Sequence, residues 1–179
     1  MVRLTVWMLG LWLGAAGPAF AAPAGENSDA SLQAIETART AMREALSKAP
    51  LGFRHILFVS AVPEGFAAYK PRDTTGFAQG EPLIVYAEPI GVTWKQDGDE
   101  FSSKLTVDFE IRTPDGKVLA GQKGFGEFSL EAREPPLDYM SHIKLDVSGA
   151  PAGSYILGLT IHDANSGKSS TKDLPFEIK

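Results

Sequence analysis

The sequence contains no cysteine, and this absence excludes disulfides, thiolate catalysis, cysteine-type zinc sites and a lipoprotein anchor. Small extracellular animal domains usually hold disulfides, so an exported chain without them is more typical of the bacterial periplasm. The chain also lacks a cluster of Lys and Arg, and its formal net charge is −5. A nucleic-acid-binding protein needs a basic surface, so that class is excluded.

Long apolar runs are absent except at the N-terminus, where one run is preceded by Arg3. The run covers residues 4–16, and the small-x-small pattern of residues 19–21 follows it. This order predicts a signal peptide over residues 1–21, cleaved after Ala21 or after Ala22, and hence a periplasmic or secreted protein. The alternative is an uncleaved membrane anchor. After cleavage no second apolar run is long enough to span a bilayer.

Residues 22–50 are predicted to form a flexible exit from the cleavage site followed by an amphipathic helix. Four apolar side chains fall on one narrow helical face: Leu32, Ile35, Met42 and Leu46. Ser28 or Asp29 can cap the start of this helix, and Pro50 marks its end. Because the apolar face is narrow, the helix needs a surface to lie on, which is either its own domain or a partner.

Residues 51–179 change to a period of two, which is typical of β-strands. The clearest strand covers residues 104–112, and separate strands are predicted at 117–123 and 126–132. Residues 65–82 form a long loop, and loops of this length are uncommon unless they cover something. Seven to nine short strands with turn residues between them predict an all-β fold, an antiparallel β-sandwich after one helix.

Patterns for catalysis or metal binding are weak throughout the chain. The three histidines, which lack any ligand spacing, are expected to be structural: His55, His142 and His162. The acidic residues 97–100 suggest a calcium loop but lack its later ligands, so a polar hairpin is the better interpretation. Residues 163–167 are predicted to be a hairpin turn. We therefore expect no enzyme, no metal and no cofactor.

One group of side chains on or beside the long loop suggests binding. Aromatic rings with nearby charges form surfaces for sugars or proteins, and the candidates are Tyr69, Arg72, Tyr86, Glu88 and Trp94. The alternative is that Trp94 and the tyrosines cap the end of the core.

Two segments carry a resemblance to a known family. The sequence "GAPAGSYILGLTIHDANSGKSSTKDLPFEI" (residues 149–178) resembles the last strands of bacterial Ig-like domains, and "GFAQGEPLIVYAEPIGV" (residues 76–92) is similar to the sandwich start of exported bacterial proteins of unknown function. The resemblance implies an Ig-like domain over residues 51–179 and is silent on activity. It also implies two alternatives for Tyr155: a hydroxyl bonded to upstream backbone, as in a tyrosine corner, or an ordinary half-buried side chain.

The functional expectation is a non-enzymatic module of the bacterial periplasm that binds or assembles with an envelope protein. Two observations motivate this expectation: the apolar residues account for a complete hydrophobic core, and no group of residues has a spacing typical of a catalytic site. The alternatives are a domain that binds a glycan or another small envelope molecule, with a concave aromatic pocket near Tyr69 and Trp94, and a hydrolase with an unrecognised site.

Overall fold

The computed structural model describes residues 26–179, with side chains from residue 28. The signal peptide predicted for residues 1–21 and both of its cleavage sites lie outside the described residues. Helix α1 spans Glu26–Lys48, so it begins earlier than predicted. Ser28 and Asp29 lie inside the helix and therefore do not cap it.

The chain divides into two compact units, Met1–Glu36 and Thr37–Lys179. In the first unit the described residues form the first half of α1, and its predicted apolar side chains Leu32 and Ile35 are exposed. In the second unit Met42 is also largely exposed, whereas Leu46 is half-buried. The predicted apolar face of α1 is therefore only partly covered.

Nine strands follow the helix within the described residues. Their bounds are β1 (Gly52–Phe58), β2 (Gly76–Phe77), β3 (Leu83–Ile90), β4 (Lys95–Asp97), β5 (Glu100–Arg112), β6 (Val118–Ala132), β7 (Ser141–Leu145), β8 (Gly153–Asp163) and β9 (Ser169–Ile178). A three-stranded antiparallel sheet has the order β1–β3–β7. The other sheet has the order β2–β9–β8–β5–β4, with β6 also paired to β5. The prediction of a mostly β domain with one helix is confirmed.

Both sheets contribute side chains to one hydrophobic core. Leu83 and Val85 of β3 and Leu157 and Leu159 of β8 are completely buried. Burial of large aliphatic side chains contributes about 1.5–3 kcal/mol each to folding. In the same cluster the ring of Phe77 packs edge-on against Phe58 and Phe176, with centroid distances of 5.1 and 6.1 Å.

Three details of the sheets differ from the sequence-based expectation. Residues 117–123 and 126–132 do not form two strands, because β6 continues through both, and the ladder to β5 shifts register opposite Asp108. Gly124 has a φ of 60° at this bulge, a conformation that favours glycine. The sheet is also not wholly antiparallel, since β2 runs parallel to β9. The short strand β2 lies inside the predicted loop and is fixed there by the buried Phe77.

The hairpins follow the predicted turn chemistry. Strands β4 and β5 pair directly around Gly98, so the acidic residues 97–100 form a polar hairpin. The hydroxyl of Tyr155 at the start of β8 donates a hydrogen bond of 2.7 Å to the carbonyl oxygen of Pro151. This bond has the local, upstream geometry of a tyrosine corner.

Candidate functional site

Three of the five predicted site residues lie together around β3. The rings of Tyr69 and Tyr86 stack with their centroids 4.1 Å apart. The Tyr86 hydroxyl donates to one carboxylate oxygen of Glu88 at 2.6 Å, and the other oxygen accepts from Arg54 at 2.6 Å. Tyr86 is 0% and Glu88 2% exposed. Neither can therefore contact a partner directly, and of the three only the half-buried Tyr69 reaches the surface.

Arg72, the fourth predicted residue, fixes the long loop from within. Its guanidinium pairs with Glu81 at 2.5 Å, donates to the carbonyl oxygen of Gly76 at 2.8 Å and lies 4.0 Å from the ring centroid of Phe77. The same carboxylate accepts from the amide of Ala78. These two hydrogen bonds, from the amide first and the guanidinium second, lower the pKa of Glu81. The loop is thus anchored by its own charged side chains.

Trp94, the fifth residue, lies apart from this group in a concave groove of about 610 Å³. Its ring meets Tyr139 edge to face, with centroids 6.1 Å apart and planes at 81°. Burial raises the pKa of the Tyr139 hydroxyl. The volume falls within the usual range for small-molecule sites, about 300–1,000 Å³. We call this cavity the aromatic groove; it is lined by residues from 40–47, 89–94 and 135–139, with Arg54, Phe66 and Phe101.

Two walls of the aromatic groove are connected by ionic contacts. Arg43 of α1 pairs with Glu134 at 2.6 Å and donates from its Nε to the carbonyl oxygen of Pro135 at 3.2 Å. Arg39 reaches the same carboxylate at 3.3 Å. The covered side of α1 from residue 37 onward therefore includes two arginines, besides the apolar side chain of Leu46.

Every charged side chain that lines the aromatic groove has a partner of opposite charge. These three pairs are Arg43 with Glu134, Glu44 with Lys48, and Arg54 with Glu88. The remaining lining is mostly aromatic and aliphatic, and it includes the hydroxyl residues Thr40, Ser47 and Thr93. An ionic ligand would find no unpaired countercharge among these lining residues, whereas an uncharged polar molecule with an apolar face would fit.

The C-terminal hairpin turn supports the groove without lining it. The buried carboxylate of Asp163 accepts from the amide of Thr93 at 2.8 Å and from that of Asn165 at 2.9 Å. The Asn165 amide group donates to the carbonyl oxygens of Thr93 and Ser102. These side chains therefore hold the residue that precedes Trp94, and their predicted turn role extends to a second part of the chain.

His162 and Asp108 form a polar pair on another face of the larger sheet, 2.9 Å apart. Burial opposes ionisation of Asp108, but bonds from the Gly124 amide and His162 outweigh it and lower the pKa of the carboxyl. The pair holds the β6 bulge. Among residues 26–179 no group of three or more potential ligands could hold a metal ion. No helix in that part of the chain combines the length and hydropathy needed to cross a membrane.

The groove also contains residues that sequence reasoning did not select, chiefly Tyr139, Phe66, Phe101 and Arg54. They come from separate segments, and no local spacing signals that these segments meet. The aromatic character of the first three was visible, but most such residues in a β domain pack in its core.

Comparisons with known proteins give a limited likeness. No protein-family model matches the sequence, and the search of curated proteins found no match. Among solved structures the chain is similar to the C-terminal domain of wzt, with a TM-score of 0.45, 12% identity, and coverage of 74% of this chain and 75% of that one. It is also similar to a family 123 glycoside hydrolase from Clostridium perfringens, with a TM-score of 0.41, 12% identity, and coverage of 73% of this chain and 27% of the hydrolase. Neither likeness assigns a function.

Proposed function

We propose that the protein is a non-enzymatic binding module whose aromatic groove holds an uncharged glycan. The observation that carries the proposal is the concave groove of about 610 Å³ with Trp94 and Tyr139 at its side and only paired charges in its lining. A sugar ring has an apolar face that packs on an aromatic ring and a rim of hydroxyls that hydrogen-bond to polar groups. The groove offers both kinds of contact.

The arrangement of acidic side chains supports a binding role over a catalytic one. General acid–base catalysis needs a carboxyl group free to exchange a proton with the substrate. Glu44, Glu88 and Glu134, which lie at or next to the groove, are each held in an ion pair. His162 and Asp108 hydrogen-bond to each other on a separate face of the protein.

Titration of immobilised protein with uncharged hexasaccharides of glucose, mannose and N-acetylglucosamine tests the proposal, with a galacturonic-acid hexamer as the anionic probe. We expect one neutral sugar to bind and the anionic hexamer to bind more weakly. Trp94→Phe should weaken the neutral complex by about fivefold, roughly 1 kcal/mol, because it removes part of the stacking surface.

The matched control is Phe125→Leu, which shortens a half-buried aromatic side chain that packs on Phe109 of the sheet. It should leave glycan affinity unchanged. Preference for the anionic hexamer, or equal affinity in Trp94→Phe, would contradict the proposal. The alternative occupant of the groove is a segment of an envelope protein. If no glycan binds and cross-linking to a protein in the native envelope depends on Trp94, that protein is the ligand of the groove.

We also propose that the protein is an exported bacterial protein of the periplasm with an Ig-like sandwich over residues 51–179. The N-terminal pattern of Arg3, an apolar run and small residues supports export. The bond between the Tyr155 hydroxyl and the Pro151 carbonyl supports the Ig-like assignment.

A further inference from the structure

A polar network with a buried centre is connected to the aromatic groove through Arg54, which lines it. The Tyr86 hydroxyl donates to Glu88 and accepts from the backbone amide of Ala67 at 2.9 Å. Arg54 closes the network on the second oxygen of Glu88. Burial first, and the bond to Glu88 second, raise the pKa of Tyr86 to about 12. The hydroxyl therefore keeps its proton, and this bond to Glu88, throughout the neutral range.

Core packing alone gives no reason for such a network, since burying the carboxylate of Glu88 costs free energy that an apolar residue of the same volume would not cost. Its geometry suggests another reason. Ala67 has a φ of 56°, which costs a non-glycine residue of order 1 kcal/mol or more, and its amide is held by Tyr86. The neighbouring Phe66 ring lies under the Arg54 guanidinium, 5.0 Å from its carbon to the ring centroid. Phe66 is thus restrained through its backbone and through its ring.

We infer that Tyr86 and Glu88 are positioning residues, which hold Phe66 and Arg54 in place and so close one end of the aromatic groove. The inference rests on the proposed function, because it assigns to buried residues the task of shaping the site where the uncharged glycan binds. Both residues that they position line that groove. Tyr86 and Glu88 lie two residues apart on β3, the central strand of its sheet, which pairs with β1 on one side and β7 on the other.

The positioning can be measured without any ligand. The chain has no cysteine, so Ala68→Cys provides one attachment site for a nitroxide, on an exposed residue next to Ala67. We expect a slow-motion electron paramagnetic resonance spectrum in this background. Adding Tyr86→Phe should introduce a fast-motion component, because the Ala67 amide loses its acceptor.

Tyr155→Phe is the matched control, since it also removes one buried tyrosine hydroxyl that bonds to the backbone, away from the groove. It should leave the nitroxide spectrum unchanged even if it lowers the melting temperature. If Tyr86→Phe does not fold, Glu88→Gln replaces it, because it keeps the shape of the side chain and cannot accept from both Tyr86 and Arg54. That variant should release Arg54 and the ring of Phe66 and so produce a fast component too.

A slow-motion spectrum in the Tyr86→Phe and Glu88→Gln variants overturns the inference, whatever the glycan result. A fast component in these variants supports it even if the hexasaccharide panel is blank, an outcome that removes only the proposed function. Where a neutral hexasaccharide binds, Tyr86→Phe should weaken it by about fivefold. A mobile label with unchanged affinity would show that the positioned residues do not shape the binding site.

Discussion

Asp163 connects two separate parts of the chain through one buried carboxylate. It is 1% exposed and accepts backbone hydrogen bonds from Thr93 and Asn165. Burial opposes its charge, but the bonds from Thr93, Ser166 and Asn165 outweigh this effect and lower the pKa of the carboxyl. A lowered pKa in the folded state means that the ionised group stabilises the fold.

The substitution Asp163→Asn should lower the free energy of unfolding by about 1–3 kcal/mol, because the new amide group cannot accept from both backbone amides. The difference in free energy of unfolding between the wild type and Asp163→Asn should be largest at neutral pH. It should decline as pH falls below about 4, the unfolded carboxyl pKa, toward the lower folded value. Urea unfolding of both proteins across this range measures the difference.

Asp146→Asn is the control for this comparison. Asp146 also accepts from a backbone amide, that of Ser148, but it is exposed to solvent. Its substitution should move the urea midpoint far less at neutral pH. Equal effects of the two substitutions would mean that the contact with Thr93 does not stabilise the fold.

At the residue scale, local chemistry was predictable and distant partners were not. The turn role of Asp163 follows from a side chain acting on nearby backbone. The upstream bond of Tyr155 was one of two alternatives that the resemblance left open, and the structure shows the bond. The contact of Asp163 with Thr93 depends on how the hairpin packs, which no spacing encodes. Tyr86 and Glu88 were selected as surface candidates, but β3 is buried on both faces, so they act behind the surface.

At the scale of secondary-structure elements, Gly91 fixes the segment after β3, whose residues 92–94 line the aromatic groove. It follows β3, has a φ of 70°, and passes so close to the backbone of residues 49–50 that an added Cβ would overlap the Pro50 carbonyl. The segment that follows α1, residues 49–50, and the segment that follows β3 are therefore in close backbone contact at Gly91.

The substitution Gly91→Ala should destabilise the protein by more than Gly98→Ala, its matched control. Both glycines have positive φ, but a Cβ at Gly98 would meet no atom within 4 Å. The conformational cost alone is about 1 kcal/mol, so the control should lose about that much, and Gly91→Ala should lose more because backbone must move. Thermal unfolding compares the stabilities of the two variants. Equal losses of stability would show that the backbone contact at Gly91 tolerates a Cβ.

Most strands were predictable because their polar and apolar residues alternate, as in β5. The continuity of β6 was not, since Gly124 and Gly126 indicate an interruption as readily as a bulge, and only pairing with β5 decides between them. The two-residue strand β2 is too short to show any alternation. The start of α1 was placed too late because a polar residue such as Ser28 suits both a cap and a helix interior that faces solvent.

The whole-molecule prediction concerns export. If residues 1–21 are a signal peptide, the protein recovered from the periplasm of a bacterial host should begin at Ala22, or at Pro23 after the alternative cleavage. Its net charge would then be −6, because Arg3 is the only charged residue removed. Intact-mass spectrometry distinguishes these forms from the full chain, and recovery of the uncleaved chain in the membrane would support the anchor instead.

The bulge in β6 has a consequence for how molecules of this protein meet one another. β6 is 15 residues long, pairs only with β5 among the described residues, and exposes Val118, Leu119 and Leu130. A straight edge of that length is a template on which strands of other molecules could add and grow into fibres. The bulge at Gly124 divides β6 into two shorter segments, so a single straight strand cannot pair with both of them at once. We therefore expect the same glycine that interrupts the pattern in the sequence to make this edge a poorer template for fibril growth.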